Sequence, residues 1–574
     1  MIRAALLAGL SLAAGPMPRT GTAPPLVARY LTAYFAFYPT RATQAGDTTR
    51  DREIERFSPR RIADWVRFNH AVRDSGQAEL ARGDARDDRV DLGVLIRQAD
   101  REIFAFEQRR RPERDPTFWV EPMSDATVFL LLRLEVPLAL RYARARARVR
   151  LIPEYVIGAR AAIAAMPAAA VAPEVVAGAA EQVRALAVFY RSGFVAAGAG
   201  VGKVALGSAA TEGKSAAEAL DGMATELEGL AHRATGSPRL NADYAAVFRL
   251  ETGIDEPVDS VLAGGERALA DERTEAARYG RRVWETVMPG QAPPTDDRAL
   301  LRALFARLAE ARDQEVAPYL AFWRGLVPRL EAFVREHHIA TIPDPLTLTV
   351  TTAPAFMAGQ SVGGVFAAGP YAPDATTFLF VPVPSATADS AGRARFFSDF
   401  NRPFTMMIAA HELMPGHYHQ SKTAARSGHP IRAIFADPVY VEGWGTFSER
   451  VMLDAGWGGP LEWLAHYKKQ LENAARLVVD IRVHTRNMTR DEMVRFVRDD
   501  ALQGEQLAAN MWIRTLTTAP QITTYHLGDR QLRALLAAAR EREGAGFTIG
   551  RFMDRMMSLG SAPLSLYREL IVGQ

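Results

Sequence analysis

From about Leu26 to Glu336, apolar residues recur at three- and four-residue spacing with Pro and Gly between the runs, which predicts a largely helical body. Ala126–Arg150 and Glu174–Tyr190 are long stretches of this kind. The Ala-rich run Ala161–Ala180 is apolar enough to resemble a membrane segment. Pro167, Pro173 and Glu174 interrupt it, so a tightly packed helix pair is expected instead. Small residues across Gly200–Gly213 read as a linker, and Ser215–His232 as a resumed helix. The period then changes. Leu346–Thr351 and Thr377–Val383 are β-type runs separated by a Gly/Pro-rich loop, and helix returns from Pro403 to the end. The expected fold is mainly α: a large helical body with a small β-sheet next to the most informative helix, around a channel or cleft.

Composition narrows the function classes. With 48% hydrophobic and 24% charged residues over 574 positions, the chain is far too apolar for a disordered protein. The absence of Cys excludes disulfide scaffolds, Cys-ligated zinc, iron–sulfur clusters and thiol nucleophiles. Lys and Arg total 69 against 66 Asp and Glu, a balance that gives no reason to expect a nucleic-acid partner or an anionic membrane surface. Arg141–Arg150 is the densest basic stretch, but its Arg residues spread around a helix and are expected on a solvated surface. At the N-terminus, Arg3 precedes the apolar run Ala4–Ala14, with Ser11-Leu12-Ala13 as a small-x-small site. Residues 1–25 therefore read as a signal peptide and linker, with a periplasmic or secreted location. The run is too short to span a bilayer as a mature helix, and without Cys it is not a lipoprotein signal. A cytoplasmic protein with a hydrophobic N-terminus is the alternative. An integral membrane protein is not expected.

The segment Thr405–Gln420 carries the candidate chemistry. His411-Glu412 at the end of an apolar helix is the opening of a zinc-peptidase helix, with the Glu as general base on a metal-activated water. In the short form of that motif the second His follows at i+4. Here His417 follows at i+6, which a straight helix would turn about 240° away. Pro415-Gly416 offers a remedy by bulging the helix between them. A helix simply stopped by Pro-Gly, its His residues solvated, is the alternative. Zinc needs a third protein ligand and leaves the fourth position to water. Glu442, 25 residues on at the start of another predicted helix, can supply it, and Glu449 on nearly the same face can orient a ligand His. Trp444 and Phe447 predict that this helix is buried, where unpaired carboxylates are costly.

These residues also resemble a known family, the bacterial "domain of unknown function 885" group, placed among zincin-type zinc metallopeptidases. His411-Glu412-x-x-Pro415-Gly416-His417 matches its first motif. Glu442-Gly443-Trp444-Gly445-x-Phe447-x-Glu449 is similar to the second, with Gly445 for Ala and Phe447 for Tyr. Pro520-x-x-x-x-Tyr525-x-x-Gly528 matches the third. Met553 stands where relatives often have His. The similarity runs from about Ala242 to Leu570 and more weakly upstream. It implies a helical fold with a substrate channel and peptide-bond hydrolysis.

The resulting expectation divides the chain into a helical region at 26–240 and a catalytic region at 241–574. One Zn2+ per chain is bound by His411, His417 and Glu442, with Glu412 as general base and a peptide or small protein fragment as substrate. Tyr525 is the first candidate for steadying the oxyanion, with core packing as the other reading of that residue; His484 and Arg482 are weaker candidates, read also as part of a salt-bridged helix face. His419 is an alternative ligand to His417. Either β-run can offer a strand edge to an extended peptide. His70, His232, His337, His338, His429 and His466 have no motif context and read as structural or surface residues. Two other functions fit the same residues: a non-catalytic helical envelope protein, or a zinc hydrolase of non-peptide amides or esters.

Overall fold

Helix follows helix along most of the chain in a computed structural model that describes residues 24–83, 86–353, 363–385 and 387–572. The signal-peptide expectation falls mostly on residues 1–23, outside the described residues; a helix, Pro25–Phe37, begins directly after them. Around it the N-terminal half packs ring on ring, with Phe37 and Trp65 stacked at 4.7 Å and Tyr34 edge-on to Phe435 at 4.9 Å. The Ala-rich run falls on two helices, Ile152–Ala164 and Pro173–Val188, which corrects the tightly packed pair: each lies against a long helix, Lys203–Arg233, rather than closely against the other.

That long helix corrects the linker expected at Gly200–Gly213. Its small residues serve packing: Ala209, Gly213, Ala216 and Leu220 face inward, and a Cβ on Gly213 would lie 2.3 Å from the Tyr190 carbonyl oxygen. Ala126–Arg150 is likewise corrected to parts of two helices, Thr117–Leu131 and Leu138–Val149, parted ahead of Pro137. The solvated Arg face is corrected too. Arg148 is fully buried and donates to the Thr43 hydroxyl at 2.6 Å and the Ala126 carbonyl at 3.1 Å. Arg144 and Arg146 pair with Asp51 and Glu212 at 2.8 Å each, so this stretch ties elements together.

The two β-runs appear as β1 (Leu348–Thr351) and β3 (Thr377–Phe380), paired in parallel with Leu348 opposite Thr377. The loop between them contributes β2 (Gly364–Phe366), antiparallel to β3, which sequence periodicity missed in so short a segment. The order β1-β3-β2 puts β3 in the middle. It therefore has no free edge to offer a peptide, which corrects one of the two expected edges.

Helix resumes before Pro403, and its ends are capped as the local residues dictate. Asn401 accepts the Phe404 amide at 3.0 Å, and Asp437 accepts the Tyr440 amide at 2.9 Å. Asp437 also takes Arg97 at 2.5 Å, joining the N-terminal half to the helix Pro438–Asp454. The helix Pro460–Thr485 is buried around most of its circumference from Leu464 to His484. Among the described residues no helix is long and apolar enough to cross a membrane.

Candidate metal centre

The helix Arg402–Glu412 presents Phe404, Ile408, His411 and Glu412 to a cavity of about 1000 Å³. It ends at Glu412, since Leu413 leaves helical geometry with φ −108° and ψ −96°, and a second helix, His417–Ala425, begins after Gly416. The expected bulge within one helix is therefore corrected to a complete break. Pro415 has no amide to continue the ladder. The chain also passes close over the helix it has just left: a Cβ on Gly416 would lie 1.8 Å from the His411 carbonyl oxygen, so glycine is required. Trp444 Nε1 donates to the Pro415 carbonyl at 2.9 Å and pins the turn. Two imidazoles that one straight helix would point apart now face each other, ring centroids 4.6 Å apart and planes at 85°.

Glu442, on the first turns of Pro438–Asp454, completes the cluster. Its Oε2 lies 3.8 Å from His411 Nε2 and 3.5 Å from His417 Nε2, and one ligand atom from each residue falls within 4.8 Å of the others. Glycines permit that approach. Gly443 and Gly528 mark the crossing of Pro438–Asp454 with Thr524–Glu543, where a Cβ on Gly528 would meet the Val439 carbonyl oxygen at 1.9 Å. At Gly445 a Cβ would lie 2.6 Å from His411 Nε2, so the ring lies directly against the helix.

Glu449 is fully buried beneath the cluster, as expected of an orienting carboxylate. Its Oε1 is 2.8 Å from His411 Nδ1 and its Oε2 is 3.0 Å from His466 Nδ1. An ionised carboxylate only accepts, so both Nδ1 atoms carry protons and His411 Nε2 is directed at the cluster. Burial pushes the Glu449 carboxyl up, but the two imidazoles outweigh it and hold it at about 2. Glu442 is held well below the usual carboxylate range in the same way, with burial opposed by His411 and His417. Burial lowers His411, yet Glu442 and Glu449 push it up to about 10. The pocket thus favours positive charge. Two imidazole nitrogens and a carboxylate oxygen are a donor set that suits zinc, and His417 Nδ1 and Glu412 Oε2 are buried without hydrogen-bond partners among the described residues.

Tyr525 opens the helix Thr524–Glu543 after a short turn and lies nearly parallel to the His411 ring at 6.3 Å. Its hydroxyl accepts from Arg514 at 3.3 Å, which leaves the phenolic hydrogen free to donate. Burial, with the Glu442 charge nearby, raises its pKa and keeps it protonated. Gln521 joins these groups, donating to Glu442 Oε1 at 3.0 Å and accepting from Arg514 at 2.5 Å. The cavity also takes walls from β2 and from Tyr34 and Phe129, so it draws on both sides of the 240/241 line.

The alternative residues go elsewhere. His419 is buried with Nε2 2.8 Å from the Thr341 carbonyl, and burial lowers it to about 4. His484 accepts the Leu240 amide at 3.0 Å, meets the Thr515 carbonyl at 2.9 Å, and stacks on Tyr244. Arg482 pairs with exposed Glu266 at 2.7 Å. His429 and His70 pair with Asp91 and Glu107.

Across residues 39–571 the chain matches the family described as "Bacterial protein of unknown function (DUF885)". The chain belongs to the DUF885 family. Two solved structures share its fold. One, named a "putative lipoprotein of unknown function" from Shewanella oneidensis, is 20% identical with a TM-score of 0.77, over 95% of this chain and 99% of that one. The other, a "putative lipoprotein" from Colwellia psychrerythraea, is 15% identical with a TM-score of 0.75, over 95% and 98%. No curated protein matches the chain.

In this DUF885 protein one departure from the family motifs, Gly445, lies against the His411 ring, and the other two lie in the core. Phe447 packs against Trp444 and Phe552, and Met553 is fully buried. His466, read from sequence as structural or surface, is instead the second partner of Glu449. Gln521 and Arg514 were missed altogether. A readable signal exists for His466: with Lys469, Gln470, Asn473 and Arg476 it forms a polar ladder at three-four spacing on an otherwise apolar helix.

Proposed function

We propose that this DUF885 protein is a zincin-type, zinc-dependent hydrolase of peptide bonds. The observation that carries the reading is the convergence of His411, His417 and Glu442, with Glu449 holding His411 Nδ1 and the Glu412 carboxylate on the same cavity. One zinc per chain would be held by those three residues; when bound it polarises a carbonyl and lowers the pKa of water. Glu412 takes the proton from the attacking water and delivers it to the leaving amine. Its Oε2 has no hydrogen-bond partner among the described residues, which supports that role, because no internal hydrogen bond must be broken first. Tyr525 donates its free hydroxyl hydrogen to the developing oxyanion, and Arg514 supports the negative charge that gathers on the phenol oxygen. Phe404 and Ile408 line the approach and favour an apolar neighbour to the scissile bond. An intact Glu412 favours hydrolysis over a non-catalytic role, since metal binding alone does not need it. The apolar N-terminal run, together with relatives named as lipoproteins, supports a location outside the cytoplasm.

The test compares wild type with Glu412→Gln for metal content and for cleavage of a mixed peptide library. Zinc at one per chain in both is expected, with cleavage lowered roughly 10²–10⁴-fold in the variant. Absence of zinc from both overturns the ligand assignment. Zinc in both without peptide cleavage moves the reaction to another amide or ester.

A further inference from the structure

Beside the ligand cluster the cavity gathers three cationic side chains, of which the hydrolytic reading above uses Arg514 alone. Lys469, Arg476 and Arg514 come from two helices, Pro460–Thr485 and Glu505–Thr518, and all three line the cavity. They gather around the Tyr525 ring, with Lys469 Nζ at 5.6 Å, the Arg476 guanidinium at 4.6 Å and that of Arg514 at 5.8 Å from its centroid. Among the described residues one carboxylate makes ion pairs with them. Glu472 takes Lys469 at 3.1 Å and is also paired with Arg476, while Arg514 makes no ion pair and reaches only Gln521 and Tyr525. Lys469 and Arg476 are buried and Arg514 is half-buried, and cations so placed with one carboxylate between them are stabilised when a further anion joins them. Burial and the neighbouring Arg476 charge lower the Lys469 pKa, in keeping with that crowding.

We propose that Lys469, Arg476 and Arg514 bind the C-terminal carboxylate of the peptide, so that the protein trims peptides from their free C-terminus. The proposal rests on the hydrolytic reading above and names its substrate class. Geometry sets the register. The Tyr525 ring centroid lies 6.3 Å from that of His411 and 4.6 Å from the Arg476 guanidinium. The His411 ring and the Arg476 guanidinium are therefore at most about 11 Å apart, a span of up to three residues of extended chain at about 3.5 Å each. The bond in reach of Glu412 is therefore one of the last three. Hydrolysis adds OH to its carbonyl carbon and H to its nitrogen, releasing an amino acid, a dipeptide or a tripeptide. Arg514 links the two ends of the arrangement: it bonds to Tyr525 and, through Gln521, to Glu442, so a filled carboxylate site bears directly on the groups that meet the scissile carbonyl. An internal Asp or Glu side chain carries the same charge, and the test separates the two sources.

The probes are N-acetylated tri- to pentapeptides of mixed sequence, each made as free acid and as C-terminal amide, with and without an internal Glu. Binding is measured to zinc-loaded Glu412→Gln, and cleavage by zinc-loaded wild type. The free acid is expected to bind roughly 10–100-fold more tightly than the amide, the range of a charge-assisted pair. Loss of one to three residues from the C-terminus is expected in cleavage. Arg514→Gln and Arg476→Gln, each combined with Glu412→Gln, are expected to erase the preference. Equal binding of acid and amide on the intact site overturns the proposal, and this result needs no further variant to fold. A preference set by the internal Glu, or one that survives both Arg variants, also overturns it. If no peptide is cleaved but the free acid is still preferred and the preference falls with Arg514, the hydrolytic reading fails while the carboxylate site stands.

Discussion

Two long helices of this protein are buried for opposite reasons. Lys203–Arg233 hides one face made of Ala209, Gly213, Ala216, Leu220, Met223, Leu227 and Leu230, and every one of these is apolar or small. Pro460–Thr485 hides most of its circumference, and what it hides includes His466, Lys469, Glu472, Arg476, Asp480 and His484. An apolar stripe stabilises by leaving water, and any residue of suitable volume serves nearly as well. Buried charges do not stabilise by themselves; they persist where each has a specific partner or a task. The first helix is scaffold. The second connects the candidate metal centre to the interior.

That contrast can be broken by mutation. Leu220→Ala is expected to lower stability by about 2–5 kcal/mol, measured by denaturant unfolding, with zinc content unchanged. Glu449→Gln removes the acceptor shared by His411 and His466, and zinc affinity measured by chelator competition is expected to fall roughly 10–100-fold. Asp480 sharpens the comparison through pH. Burial raises it to about 7, against an accepted hydrogen bond from Tyr244 at 2.6 Å. A carboxyl whose folded pKa is raised stabilises fully below its unfolded value near 4, and that contribution is lost as pH rises through about 7. Wild type is therefore expected to lose roughly 1–3 kcal/mol between pH 4 and 8 that Asp480→Asn does not lose, read from unfolding midpoints of both across pH. The smallest effect belongs to the scaffold: Gly207 is exposed in mid-helix with no atom within 4 Å of an added Cβ. Gly207→Ala is expected to stabilise by about 0.5–1 kcal/mol.

Much of the fold and most of the candidate site were legible before the structure. Three-four spacing announced the helices, and the residue types at 411, 417 and 442 announced a cluster, because ligand chemistry restricts which side chains can serve. What stayed hidden depended on contacts distant in sequence. Gly and Ala in 200–213 look like a linker until Tyr190 is seen pressed against Gly213. Arg148 looks solvated until Thr43 and the Ala126 carbonyl supply its partners. His466 and Arg514 carry no local motif, since each acquires its role from another helix: Glu449 for one, Tyr525 and Gln521 for the other.

The break between Glu412 and His417 also decides which changes this centre tolerates. In an unbroken helix the spacing of two ligands is an angle, about 100° per residue, and an insertion of two residues would turn one of them out of the site. Here the spacing is a count, four residues from Leu413 to Gly416 folded back over the His411 carbonyl. The two helices are thus freed from a common register, and each can curve or rotate to suit its own packing. The loop in turn becomes unforgiving: changing its length by a single residue, or giving Gly416 a side chain, would separate the histidines while leaving both helices intact.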